Sequence, residues 1–145
     1  MKSICLQRYH QRRGFTLLEL LVVMFILVLL AGVVTALVTK RVEEAKHAKA
    51  VADIGTLEDA IDQYHLHNGE YPPTLDALRV KPSGEDLPNW NGPYIKKDVP
   101  NDPWNRPYIY ANPGEHNADS YDLSSLGRDG KEGGSGTDAD VSNWQ

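Results

Sequence analysis

The chain has 145 residues, with 15 basic and 20 acidic side chains and a formal net charge of −5. That length holds one small domain beside one long apolar helix, and the acidic balance argues against a nucleic-acid partner, which would need a basic face. The one cysteine, Cys5, lies in a basic N-terminal segment, so no disulfide can staple the rest, and a small core without one calls for another staple, a metal being one option.

In chain order, Met1 to Gly14 carries Lys2, Arg8, Arg12 and Arg13 and no acid; without it, 11 bases face 20 acids, a net charge of −9. An apolar run follows from Leu17 to Val38, in which Glu19 is the only ionisable residue. About 20 apolar residues at ~1.5 Å rise match a hydrocarbon core ~30 Å thick. A buried core helix does not fit, because the run is apolar on every face and the remaining chain is too short to surround it. A secretory signal fits the basic start, but the run is too long and no small-x-small cleavage site follows. A retained membrane helix with a leader removed ahead of it fits best. A carboxylate costs about 2.5–3.5 kcal/mol at the centre of such a helix and less near its end, and such groups are usually kept for a partner. The basic leader places the N-terminus in the cytoplasm and the remainder on the exterior or periplasmic side; Lys40, Arg41, Lys46 and Lys49 weaken that asymmetry.

Beyond the run, Ala48, Val51, Ile54, Leu57, Ile61 and Tyr64 recur at spacings of three or four. One continuous helix is expected from about Phe15 to about His67, membrane span first and amphipathic afterwards, stopped by Asn68-Gly69 with Pro72-Pro73 behind it. Gly32 and Gly55 are either close-packing points or merely tolerated. Glu70 to Pro107 is rich in Pro, Gly, Asn and Asp. Within it Thr74–Leu78 suits a short helical turn, Gly92–Ile95 a strand or extended segment, and Asp102–Pro107 turns. Trp90, Tyr94 and Trp104 are expected to pack this loop onto the helix. Tyr108–Ala111 and Ser120–Ser124 read as strands of a small antiparallel sheet. The expected class is therefore α+β.

The tail from Ser125 to Trp144 crowds glycines with Asp129, Glu132, Asp138 and Asp140. A solvated flexible tail and a calcium loop both suit that composition. In the second reading the glycines let the loop fold back so that Asp129 meets Asp138 and Asp140. It is not an EF-hand, whose D-x-[DN]-x-[DN]-G spacing and closing glutamate are absent. Scattered histidines and no mature cysteine argue against zinc.

Gly14-Phe15-Thr16-Leu17-Leu18-Glu19 ahead of an apolar run resembles the processing motif of type IV pilins and type II secretion pseudopilins. The resemblance implies that a prepilin peptidase cuts between Gly14 and Phe15 and methylates the new amino group of Phe15. A cationic N-terminus on one subunit can then pair with Glu19 of a neighbour, compensating both buried charges. Leu87 to Lys97, Asp102-Pro103-Trp104, Pro107-Tyr108, Asn112 to His116, and Ser125 to Trp144 resemble the major pseudopilin family of the type II secretion system, general secretion pathway protein G. A type IV pilin-like fold is implied: a long N-terminal helix packed on the small sheet, with a calcium-held C-terminal loop. By position, Asp129 is the first ligand, then Asp138 and Asp140, with the backbone carbonyl near Leu126 added. Asn105 and Asn117 stand where the family pattern suggests glycine, and both can adopt left-handed turns.

The implied organisation is a leader over residues 1–14, a transmembrane and filament-core helix over 15–38, and a periplasmic domain over 39–145. The implied role is that of a homopolymer inserted in the inner membrane and then assembled into a short periplasmic fibre. Minor pseudopilins and an inner-membrane assembly platform with a cytoplasmic ATPase are its partners, and the fibre helps drive folded proteins through an outer-membrane channel. No nucleophile or acid–base motif is recognisable, so no enzyme is expected. The competing roles are an adhesive or DNA-uptake pilin, a minor tip-capping pseudopilin, and an enzyme on a membrane anchor. The missing C-terminal cysteine pair counts against the first and Glu19 against the second.

Overall fold

A computed structural model describes residues 14–84 and 86–144, with the side chains of Val33, Ala36 and Leu37 also outside the description. The predicted leader therefore lies outside the described residues except for Gly14. Helix α1 runs over Leu17–Asn68. The fold divides into two compact units at Val38 and Thr39, and each has its own physics.

In the first unit the described apolar side chains of α1 face outward all round, from 46% exposed at Val22 to 81% at Leu17. Among the described residues no helix is long and apolar enough to cross a membrane. The uninterrupted described apolar stretch ends at Gly32, before the undescribed Val33 side chain. The span predicted over residues 15–38 passes through these undescribed side chains.

The second unit is built on one stripe of α1. Ala50, Ile54, Leu57, Ile61 and Tyr64 are buried at alternating spacings of four and three, with Ala60 beside them, as a helix of ~3.6 residues per turn requires to keep one face inward. The stripe begins earlier, at the buried Glu43. Ala48 and Val51, which the sequence pattern placed on it, are exposed; one residue along a helix rotates a side chain by about 100°, which carries Val51 off a face centred on Ala50 and Ile54. Glu43 tolerates burial because its carboxylate accepts the Trp104 indole N–H at 2.9 Å and pairs with Lys46 at 3.0 Å. Those two bonds hold its carboxyl below the ordinary carboxylate range. The helix ends where expected: Gly69 takes φ +81° and its N–H closes on the His65 carbonyl at 2.7 Å.

Onto this stripe pack a single 3₁₀ turn, Leu75–Leu78, and an antiparallel sheet. Strand β1 is Ile109–Ala111, β2 is Asp122–Ser125 and β3 is Val141–Ser142, in the order β1-β2-β3. Tyr110 pairs with Leu123 across the first ladder and Ser124 with Ser142 across the second. Strand β3 was not expected; two residues are too few to show a period of two. The segment expected as strand or extended at Gly92–Ile95 joins no strand: Gly92 and Pro93 belong to no regular element and Tyr94 and Ile95 lie in a bend, pinned by the Tyr94 N–H on the Leu78 carbonyl and by Tyr94 against Tyr64 edge to face.

The stripe predicts unequal costs for neighbouring substitutions. Ile54→Ala should destabilise the full chain by about 2–5 kcal/mol, whereas Val51→Ala should change stability by about 0.5 kcal/mol or less. Thermal unfolding in detergent, followed by circular dichroism, measures both.

Candidate functional site

The sequence-predicted residues fall into two groups. At the start of α1, Gly14, Phe15 and Glu19 are all exposed. Thr16 caps the helix: its hydroxyl oxygen accepts the Glu19 N–H at 3.2 Å and its carbonyl the Leu20 N–H at 3.2 Å. Thr16-x-x-Glu19 has the spacing of a capping box, a signal the sequence reading passed over. Glu19 thus lies in the first helical turn, where the helix dipole favours a negative charge. Among the described residues its carboxylate has no cationic partner.

The second group is the loop between β2 and β3. Its path is set by close backbone approaches: Gly127 adopts φ +59°, and a Cβ there would stand 2.5 Å from the Ala139 carbonyl oxygen. Arg106 donates to the Gly127 carbonyl and lies against Gly130. Of the predicted ligands, Asp129 turns back on its own loop, accepting the Lys131 N–H at 3.1 Å. Asp138 takes the Arg128 guanidinium on both oxygens, at 2.6 and 3.1 Å. Asp140 accepts the Gly133 N–H at 2.8 Å on one oxygen, while its other oxygen is buried without a partner. The Leu126 carbonyl accepts the Gly130 N–H at 3.1 Å. Asp140 and Leu126 line one cleft of about 450 Å³, together with Glu132, Gly133, Glu115 and Trp144. Among the described residues no three carboxylate, histidine or cysteine side chains converge as a metal-binding group. The oxygen donors suit a hard cation, and among them the Asp140 oxygen is buried with no partner.

Two carboxylates that the sequence reading did not single out hold the surrounding loops. Asp122 on β2 accepts the N–H groups of Glu115 and His116, each at 2.8 Å, and of Asn117 at 3.0 Å, with the His116 ring at 3.1 Å. The His116 ring in turn stacks on Trp144, with centroids 4.1 Å apart. Asp102 does the same for its own turn, accepting Trp104 and Arg106 N–H groups at 3.0 and 2.8 Å and the Ser125 hydroxyl at 2.6 Å. The only cue in the sequence was an aspartate beside a turn, which does not reveal which amides it gathers. Asn105 does adopt the left-handed conformation, φ +69°. Asn117 does not; its side-chain amide donates to the Tyr121 carbonyl instead.

Burial raises the Asp122 pKa, but the His116, Asn117 and Glu115 hydrogen bonds outweigh it and the net shift is downward. A lowered folded-state pKa gives stability that is fully present above the unfolded value, near ~3.9, and is lost as pH falls through the folded value. Asp122→Asn should therefore destabilise the chain at pH 7, and the gap to wild type should shrink as unfolding is measured from about pH 4 downward.

Comparison with known proteins covers both groups. Residues 37–144 match the family model described as type II secretion system (T2SS), protein G, and residues 9–35 match the prokaryotic N-terminal methylation motif. The type II secretion system core protein G of Pseudomonas aeruginosa is 47% identical over 139 residues, covering 93% of this chain and 96% of the relative. That of Vibrio cholerae is 43% identical over 143 residues, covering 96% of each. The crystal structure of the major pseudopilin from the type 2 secretion system of enterohaemorrhagic Escherichia coli superposes with a TM-score of 0.56 at 35% identity, over 72% of this chain and 90% of that one. With a pilin-like helix-on-sheet fold, a methylation motif over residues 9–35 and a family match over residues 37–144, the chain belongs to the type II secretion system protein G family.

Proposed function

We propose that this chain is the major structural subunit of the type II secretion pseudopilus, polymerising into a periplasmic fibre that helps drive folded proteins through the outer-membrane channel. The observation that carries the reading is the described helix surface between Leu17 and Val38: its apolar side chains are exposed on all sides, and among the described residues nothing covers them. Such a surface needs lipid or other copies around it. In this reading the segment 15–38 spans the inner membrane with its N-terminus cytoplasmic, and residues 39–145 lie in the periplasm. A prepilin peptidase removes residues 1–14 and methylates Phe15. The freed amino group of one copy pairs with Glu19 of the next, so that neither charge is buried alone. Minor pseudopilins and the inner-membrane assembly platform complete the machinery.

In the same reading calcium staples the C-terminal loop. Asp140, through its orphaned oxygen, and the Leu126 carbonyl would hold it, with Asp129 and Asp138 contributed from the two arms of the loop. The ion would supply positive charge to a segment, 126–140, in which four acids face two bases. The rest of the closure is the chain's own: Arg106 on the Gly127 carbonyl and Asp140 on the Gly133 amide.

Glu19→Ala should leave membrane insertion intact and abolish fibres, scored by fractionation and by electron microscopy of sheared filaments; normal fibres from this variant would refute the pairing role. Calcium at a hundredfold excess over its Kd should stabilise the wild-type chain in detergent by about 2.7 kcal/mol. Asp140→Asn should abolish most of that gain, and a wild-type melting temperature indifferent to calcium and chelator would remove the metal from this reading.

A further inference from the structure

Among the described residues, Asp138 is the only acid of the 126–140 loop in an ion pair, and its partner, Arg128, comes from the same loop ten positions away. The guanidinium occupies both carboxylate oxygens through Nε and a terminal nitrogen, the fork geometry in which such pairs are strongest. The pair sits beside the close approach of Gly127 to the Asp138 and Ala139 carbonyls, so it ties the loop where its two arms meet. Neither Asp129 nor Asp140 has such a partner; both accept backbone N–H groups of the loop.

Resting on the calcium reading above, we propose that Arg128 is a built-in cation that competes with calcium for Asp138 and keeps the C-terminal loop closed when the ion is absent. The guanidinium takes one lone-pair direction on each Asp138 oxygen and fixes a positive charge where a divalent ion would bind, so the two compete for the carboxylate. Calcium that recruits Asp138 must displace Arg128 or bind beside its charge, and calcium that does not recruit it still binds against a fixed positive charge. A guanidinium is charged throughout the range in which aspartates are ionised, so the competition is present wherever calcium could bind. The loop therefore has two closures that oppose each other, one carried in the sequence and one taken from solution. Calcium affinity is weaker than the aspartates alone would give, and loop order declines gently rather than abruptly as calcium falls.

The test uses the full chain in detergent with Arg128→Gln, and with Lys131→Gln as a control that removes a charge from the same loop without touching Asp138. Calcium affinity is measured by calorimetric titration. Loop closure is measured in chelator with a glutamate-directed protease, which cuts after the exposed Glu132. Arg128→Gln should bind calcium about tenfold tighter than wild type, and Lys131→Gln less than about threefold tighter. In chelator Arg128→Gln should be cut about tenfold faster than wild type, with calcium restoring resistance. Equal affinity in wild type and Arg128→Gln, or equal gains in Arg128→Gln and Lys131→Gln, would overturn the competition and leave the calcium loop standing. Equal cutting of wild type and Arg128→Gln in chelator would overturn the metal-free closure. No binding by wild type or Arg128→Gln would overturn both readings together.

Discussion

The folded unit depends on one stripe of α1. Its three strands are short, no cysteine remains after the N-terminal segment, and the sheet has little area of its own to bury. Ala50, Ile54, Leu57, Ile61 and Tyr64 supply a continuous apolar floor, and Leu78, Tyr108, Tyr121, Leu123 and Val141 pack with them. Hydrophobic burial is non-directional, so the floor gathers these segments without specifying their paths. The paths are specified by polar contacts at its edges: Glu43 with Trp104, Asp53 with the Tyr108 hydroxyl at 3.1 Å, and the Tyr110 hydroxyl on the Pro72 carbonyl at 2.7 Å.

The same helix carries two surfaces with different requirements. Among the described residues, its apolar side chains up to Val38 are exposed all round; beyond Thr39 it is apolar on one side, and that side is buried. Nothing in the backbone changes between them, since α1 is a single helix from Leu17 to Asn68. The division lies in side-chain pattern alone.

This explains which parts were legible in the sequence. Long periodic features were: the helix, its stop at Asn68-Gly69, two of the three strands, and the processing motif ahead of the apolar run. Stripe membership was less so, because Ala48 and Val51 satisfy a three-or-four spacing as well as Ala50 does, and the choice between adjacent faces is made by what packs against them. The two-residue strand β3 and the loop-holding roles of Asp102 and Asp122 were not legible, since they depend on contacts that spacing does not encode. The C-terminal aspartates were recognisable as a group, but their partners were not. Arg128 reads as one basic residue among acids until the fold places it on Asp138.

The two buried aspartates also bear on how the outer surface can change. Asp102 and Asp122 grip main-chain N–H groups at Trp104, Arg106, Glu115, His116 and Asn117, and every residue except proline offers such a group. The main-chain part of each grip is therefore indifferent to the side chain displayed, whereas Trp104, Arg106, His116 and Asn117 are held a second time through their side chains. Exposed positions that make no such second bond, Glu115 among them, can be rewritten to suit new neighbours while the chain beneath keeps its course.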